Sequence, residues 1–277
     1  MLDFILRKAS HLGTLPVFNF VTEAQRGFSE EEKAGFKACQ RLAQEAAKEV
    51  ASLAKEGWTE IQAAKLLETY LLDSGVEGFF HHSFAWFGER TRFDGIRQYS
   101  EFSPSARVLL PNEIFILDVA PIYRGYTCDI GYTSCLGENP QFHRVRNFLA
   151  EVRESIPGIV RGAVSGSDVW QQVEDLLTVA GYENIHQKYP FSVLGHRLHR
   201  SRGGGVPFQV WNFGWQSFWD LTSRGLFGQL LTRQYEGSLD GLWAIEPHLG
   251  GKGFGAKFEE ILVIEGNKVH WLDDIGF

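Results

Sequence analysis

Cysteine is scarce in this chain of 277 residues: Cys39, Cys128 and Cys135 stand without any paired spacing. That excludes a disulfide framework and points to a reducing compartment. Long apolar runs are also missing, and none approaches the ~18–20 residues that a membrane span needs. The first residues, Met1-Leu-Asp-Phe-Ile-Leu-Arg-Lys, put acid before base and offer no clean apolar stretch, so no signal peptide is expected. Positive charge is in deficit, with 27 Lys and Arg against 34 Asp and Glu and a net charge of −7. Such a balance disfavours nonspecific contact with nucleic acid. The expectation is a cytoplasmic protein with neither membrane nor nucleic acid as partner. What remains is ordinary for a globular chain, 44% hydrophobic and 22% charged, and it is long enough to bury a sizeable core.

Helical signals come first along the chain. Ser29-Glu-Glu-Glu32 reads as a capping box that opens a helix running to about Lys55, with Phe36, Cys39, Leu42, Ala46, Val50 and Leu53 on its buried face. Thr59-Glu-Ile-Gln62 reads as a second box, opening a helix that runs to about Asp73. Residues 79–119 look like strands broken by Gly and Pro, and 141–164 mainly like helix, with Pro157-Gly158 as a break point. A further helix is expected from a cap at Ser167, closed by Gly181 as Gly75 closes the second one. The order helix, helix, strands occurs twice, which favours one α+β domain built from two related halves.

The densest chemistry lies between Ile114 and Thr133, where β-branched and aromatic residues flank turn chemistry confined to Pro121–Gly125. A hairpin tip between Tyr123 and Arg124 would set Asp118 directly opposite Asp129 on one face of the ladder. Like charges so placed destabilise it unless a shared proton or a metal cation neutralises them. Cys128, next to Asp129, should point to the other face and pack rather than react. Later segments offer more donors: His196 in Leu194-Gly-His-Arg197, Glu246 before Pro247, and Glu259 or Glu260 at the start of an apolar strand. Two aspartates, a histidine and two glutamates suit Mn, Fe, Co or Zn rather than a thiolate-loving ion. Five such ligands could hold two ions ~3.5–4 Å apart, with some carboxylates bridging.

With these residues in place the chain resembles the methionine aminopeptidase, prolidase and creatinase family, the metallopeptidases of pita-bread fold. Asp118 and Asp129, in Asp-Val-x-x-x-x-x-Gly-Tyr-x-x-Asp, match its first two metal ligands. His196 after Gly195 matches the histidine ligand, Glu246 in Ile-Glu-Pro the fourth, and Glu259 in Ala-Lys-Phe-Glu-Glu the fifth, with Glu260 as the register alternative. The resemblance implies an α+β fold of two pseudo-symmetric halves, a curved antiparallel sheet covered by helices, over residues 29–277, with 1–28 as an N-terminal extension. It implies two divalent metal ions (Mn, Co, Fe or Zn), bridged by Asp129 and Glu259, with Asp118 on one and His196 on the other. It further implies a metal-activated water that attacks the carbonyl of a peptide or amide C–N bond, with Glu246 carrying its proton to the leaving amine. The substrate would be a short peptide or small amino-acid-like molecule, and a homodimer is an expected assembly.

Two departures from the family pattern qualify that implication. The family's two substrate-side histidines are replaced by Tyr99-Ser-Glu-Phe102 and by Gly203-Gly204, which leaves His82 and His199 as candidates for their work. Phe208, Trp211, Phe213, Trp215, Phe218, Trp219 and Phe227 crowd the segment before Glu246, as core, as subunit interface, or as the wall of an apolar pocket. Arg197, Arg200 and Arg202 form either a solvated face or a grip on a substrate carboxylate. The alternative function is therefore a metal-dependent non-peptidase, a lyase or tailoring enzyme that uses the same centre on a small molecule. A metal-free binding module would show eroded ligand positions, and here all five are filled.

Overall fold

Ser29 opens the first helix, α1 (Glu30–Ser52), by the expected reciprocal pair: its hydroxyl accepts from Glu32 N at 3.2 Å while Glu32 accepts from Ser29 N at 2.9 Å. The computed structural model describes residues 27–201, 209–210, 213–214 and 226–275, so the expected extension lies almost wholly outside the described residues. Thr59 and Gln62 cap α2 (Glu60–Asp73) in the same way. Strands β1 (Gly78–Phe87), β2 (Ile114–Tyr123), β3 (Tyr126–Thr127) and β4 (Ile130–Cys135) complete the first half.

The second half repeats the order with α3 (Pro140–Gly162) and α4 (Gly166–Val179). After them come β5 (Glu183–Asn184), β6 (Gly195–Arg197), β7 (Gln209–Val210), β8 (Phe213–Gly214) and β9 (Leu230–Leu231). The chain closes with β10 (Gly241–Ile245), β11 (His248–Gly251), β12 (Phe254–Lys257), β13 (Glu260–Glu265) and β14 (Lys268–Trp271). No helix among the described residues is long and apolar enough to cross a membrane.

Local readings shift where side chains compete for backbone. Pro157 does not break α3, which runs through it. The cap of α4 is Ser165 rather than Ser167: Ser165 Oγ accepts from Asp168 N, whereas Ser167 Oγ donates to Arg233 O at 2.7 Å. The first helix also ends three residues short of Lys55, with Leu53 as its C-cap.

One sheet runs β3-β2-β1-β8-β7, with β4 on the hairpin side of β2; a second runs β14-β13-β10-β6-β9; a third joins β12, β11 and β5. Helix α1 lays Phe36, Cys39, Ala43, Ala46, Ala47 and Val50 on the first sheet, and the small alanines let it approach closely. Helix α3 does the same for the second sheet with Val145, Leu149, Val152, Ile156 and Val160 around Trp243 and Leu262. Both helices cover one side of the sheets. Burial of β2 on its other face as well leaves Asp118 in an enclosed space.

The hairpin differs from expectation by one step. Ile122 pairs with Thr127, and Asp118 lies directly opposite Gly131, not Asp129. The turn is Arg124-Gly125, both in the left-handed region (φ 54° and 74°), the geometry a tight two-residue hairpin demands. Slippage by two in the pairing sum keeps parity, so Asp129 stays on the face of Asp118 as its diagonal neighbour. Cys128 falls on the opposite face, its sulfur 3.4 Å from that of Cys39 in the core.

Candidate metal centre

Five strands or strand ends from both sheets converge on one buried cluster. Asp118 comes from β2, Asp129 from the residue before β4, His196 from β6, Glu246 from just after β10, and Glu259 from just before β13. Backbone pairing fixes them: Ala244 pairs with His196, Glu246 N donates to Leu194 O, and Glu259 N donates to Gly131 O. Alternation then decides the glutamate register. Glu259 turns inward, whereas Glu260 faces away and accepts two bonds of 2.8 Å from Arg153.

Two imidazoles aim at the same oxygen. His196 Nε2 lies 3.2 Å from Asp129 Oδ2 and 3.7 Å from Glu259 Oε1. His81 Nε2 lies 3.0 Å from Asp129 Oδ2 and 3.6 Å from Asp118 Oδ1. In each ring Nδ1 faces a main-chain carbonyl, His82 O at 2.8 Å and Arg197 O at 3.3 Å. A proton held there directs the Nε2 lone pair towards the carboxylate cluster, which is how a metal-binding imidazole is oriented. Among the described residues, Asp129 Oδ1 and Glu259 Oε1 are buried without a hydrogen-bond partner. Unpaired buried carboxylate oxygens are costly, so this donor set fits a cation. The groups close enough to share one are Asp129, His196 and Glu259, and His81, Asp118 and Asp129.

His82 does not reach this cluster. Strand β1 carries a bulge, with His81 opposite Ala120 but Phe84 opposite Asp118, so three steps on β1 match two on β2. The extra residue changes which histidine faces inward. His82 Nδ1 instead meets Glu68 at 2.8 Å, and the same carboxylate accepts from Ser83 N, holding the bulge. His199 is buried with Nε2 2.7 Å from Gln229. Phe80 stacks on His196 at 5.8 Å between ring centres.

Residues 34–266 match the family model of metallopeptidase family M24. The chain belongs to that family. Among solved structures it resembles an X-Pro aminopeptidase from Thermotoga maritima MSB8 (TM-score 0.65, 18% identity), covering 89% of this chain and 62% of that one. It resembles a dipeptidase from Pyrococcus horikoshii OT3 (TM-score 0.67, 21% identity), covering 93% of this chain and 64% of that one. A methionine aminopeptidase from Thermotoga maritima gives TM-score 0.59 at 17% identity, with 88% and 97% covered. No curated protein matches in sequence. The chain thus spans under two thirds of the X-Pro aminopeptidase and dipeptidase chains. These likenesses establish the α+β pita-bread fold.

At the centre of this metallopeptidase family M24 chain stands a residue that the ligand pattern does not include. Lys257, the last residue of β12, sends its ammonium to Asp118 Oδ2 (2.6 Å), Glu246 Oε2 (2.8 Å) and Glu259 Oε2 (3.0 Å). Charge is shared out accordingly. Burial disfavours the Lys257 charge, but the three carboxylates more than offset it and raise its pKa well above the usual value. Burial, then the charge of Glu259, pushes Glu246 up to about 8. Burial takes Asp118 to about 6, with Lys257 holding it back. Burial also opposes ionisation of Asp129, yet His81 and His196 outweigh it and hold that carboxyl well below the usual range. Reciprocally, His81 rises to about 9 against its own burial.

Arg197, next to His196, serves the fold. Buried Arg197 donates to Gly228 O, Asp240 O, Ser238 O and Tyr235 Oη and stacks on Trp243 at 4.3 Å. It is neither a solvated face nor a grip on substrate, because those acceptors belong to the segment that closes over β6. Arg197→Met is expected to cost roughly 2–4 kcal/mol in chemical denaturation, from lost charged hydrogen bonds and stranded carbonyls. Metal affinity should stay unchanged, and a loss of metal without a loss of stability would contradict the assignment. Arg200 stacks on Tyr126 at 4.8 Å. Arg202, Gly203, Gly204 and the side chains of the aromatic segment lie outside the described residues; its backbone pair Phe213–His81 sets β8 beside β1.

Proposed function

We propose that the chain is a metal-dependent hydrolase that cleaves the C–N bond of a short peptide or amino-acid-like substrate. The observation that carries this is the convergence of two Nε2 atoms on Asp129 Oδ2 beside Asp129 Oδ1 and Glu259 Oε1, which have no hydrogen-bond partner among the described residues. Asp129, His196 and Glu259 would hold a divalent ion, with Asp118 and His81 at hand. A bound ion of this kind supplies Lewis acidity, polarising a carbonyl and lowering the pKa of water. Glu246, a protonatable carboxyl near neutral pH, takes and returns the proton that the leaving amine needs. Lys257 positions Glu246 and Glu259 by bonding both.

Names of the structural relatives suggest the first substrates to try: dipeptides and tripeptides, with and without Pro at the second position. Protein loaded with Mn, Co, Fe or Zn, manganese first, should release free amino acids from some of these and lose that activity with chelator. Activity indifferent to chelator would refute the metal reading.

A second reading has its own observation. Where the family resemblance calls for a substrate-side histidine the chain has Tyr99, half-buried and near the charges of Asp118, Asp129 and Glu246. A phenol there, its ionisation suppressed by burial and by those carboxylates, donates a hydrogen bond but does not shuttle protons at neutral pH. That favours a metal-dependent non-peptidase. No amino acid released across the whole peptide panel by metal-replete protein would select it.

A further inference from the structure

Two divalent ions are the expectation that goes with the five family ligands, but the donor atoms are not shared out that way. A lysine ammonium has three N–H donors, and those of Lys257 meet one oxygen each from Asp118, Glu246 and Glu259. Three of the five ligand carboxylates or imidazoles are thereby already gathered around a cation that belongs to the chain.

The arrangement is built into the strands. Thr133 Oγ1 donates to Lys257 O at 2.6 Å and accepts from Lys257 N at 2.8 Å, which fixes the main chain. Gly131, directly opposite Asp118, supplies the passage: a Cβ there would overlap Cε of Lys257. Lys257 and Glu259 stand two residues apart flanking the β12–β13 junction, so both can reach the same space.

What remains for a metal is a different set of atoms. Asp129 Oδ1 and Glu259 Oε1 have no hydrogen-bond partner among the described residues, and His196 Nε2 lies 3.2 Å from Asp129 Oδ2 and 3.7 Å from Glu259 Oε1. The second possible group, His81 with Asp118 and Asp129, reuses Asp129 and includes Asp118, which makes the shortest of the three bonds to the ammonium. Charge points the same way. Four carboxylates facing one ammonium and one divalent ion retain a single negative charge, whereas a second divalent ion would leave a positive charge buried with neutral imidazoles.

We propose that the Lys257 ammonium takes one of the two cation positions, so that the chain binds one divalent ion, at Asp129, His196 and Glu259. This rests on the metal-centre reading above and deepens it.

The test is stoichiometry. Chelator-stripped protein is titrated with Mn(II), and bound metal per chain is counted after gel filtration, for the natural chain and for Lys257→Met and Gly131→Ala. Methionine keeps the aliphatic stem without its charge, and alanine at 131 displaces the lysine while leaving it in the sequence. One ion in the natural chain and two in either variant is the expected result. The Mn(II) resonance spectrum of the natural chain should be that of an isolated ion, without the coupling of two ions ~3.5–4 Å apart. Two ions in the natural chain overturn the proposal even if neither variant folds. One ion throughout, in folded variants, overturns the role of Lys257 but leaves the centre standing. No ion in the natural chain removes the metal reading itself.

Discussion

Asp129→Asn is expected to weaken divalent-ion binding by more than ~100-fold, the largest single loss at this centre. Changing a group that merely supports a metal ligand typically costs 10–100-fold. Asp129 is nearer the chemistry than that, since His81 and His196 both address its Oδ2 and its Oδ1 has no other partner. Asparagine keeps the shape but removes the charge and turns one donor oxygen into an N–H group. The same change withdraws the anion that raises the pKa of both imidazoles against their burial. Glu260→Gln is the matched control. That carboxylate is equally buried but spends both oxygens on Arg153, so its loss should lower stability and leave ion affinity within a few fold. Isothermal titration of the two variants separates them. Affinity within threefold of the natural chain for Asp129→Asn would sink the assignment.

Much of this centre was legible because strand alternation and local turn chemistry act over a few residues. The capping boxes at Ser29 and Thr59 and the opposite faces of Asp129 and Cys128 follow from neighbours alone. Spacing put five carboxylate and imidazole groups on strands, and the fold brings all five together. What was not legible depends on partners far away in sequence. The bulge that exchanges His82 for His81 is held by Glu68, on a helix. Arg197 reads as a surface charge until Ser238 and Asp240 close over it. Lys257 carries a sequence signal of its own: a lone base two residues before Glu259 in the apolar and glycine-rich run Gly253–Phe258, with Gly131 opposite Asp118. A buried lysine beside acids is a counter-ion before it is anything else.

The ion-free chain should lose stability as pH rises from about 6.5 to 9, and the ion-bound chain should not. The sign follows from His81, whose pKa is raised from 6.5 to about 9 by Asp129 and Asp118. A folded state that binds the extra proton is favoured in full below the unfolded value and loses that advantage as pH passes the folded one. For a fully buried pair the shift corresponds to roughly 3 kcal/mol. Glu246, raised from 4.5 to about 8, adds a loss of the same sign at the lower end of the window. A divalent ion reverses the dependence, because His196 must be neutral to ligate it and its charge on Asp129 disfavours the neighbouring His81 proton. Its affinity should therefore climb by about tenfold per pH unit for each proton displaced. An unperturbed histidine pair would stop contributing above pH ~7. Here the climb should continue towards pH 9, with the ion-free and ion-bound unfolding curves drawing apart over the same range. Denaturation with and without Mn(II) at three pH values measures both. An affinity that levels off by pH 7 would mean that Asp129 is not paired with protonated imidazole in the ion-free chain, and the electrostatic account of the centre would fail with it.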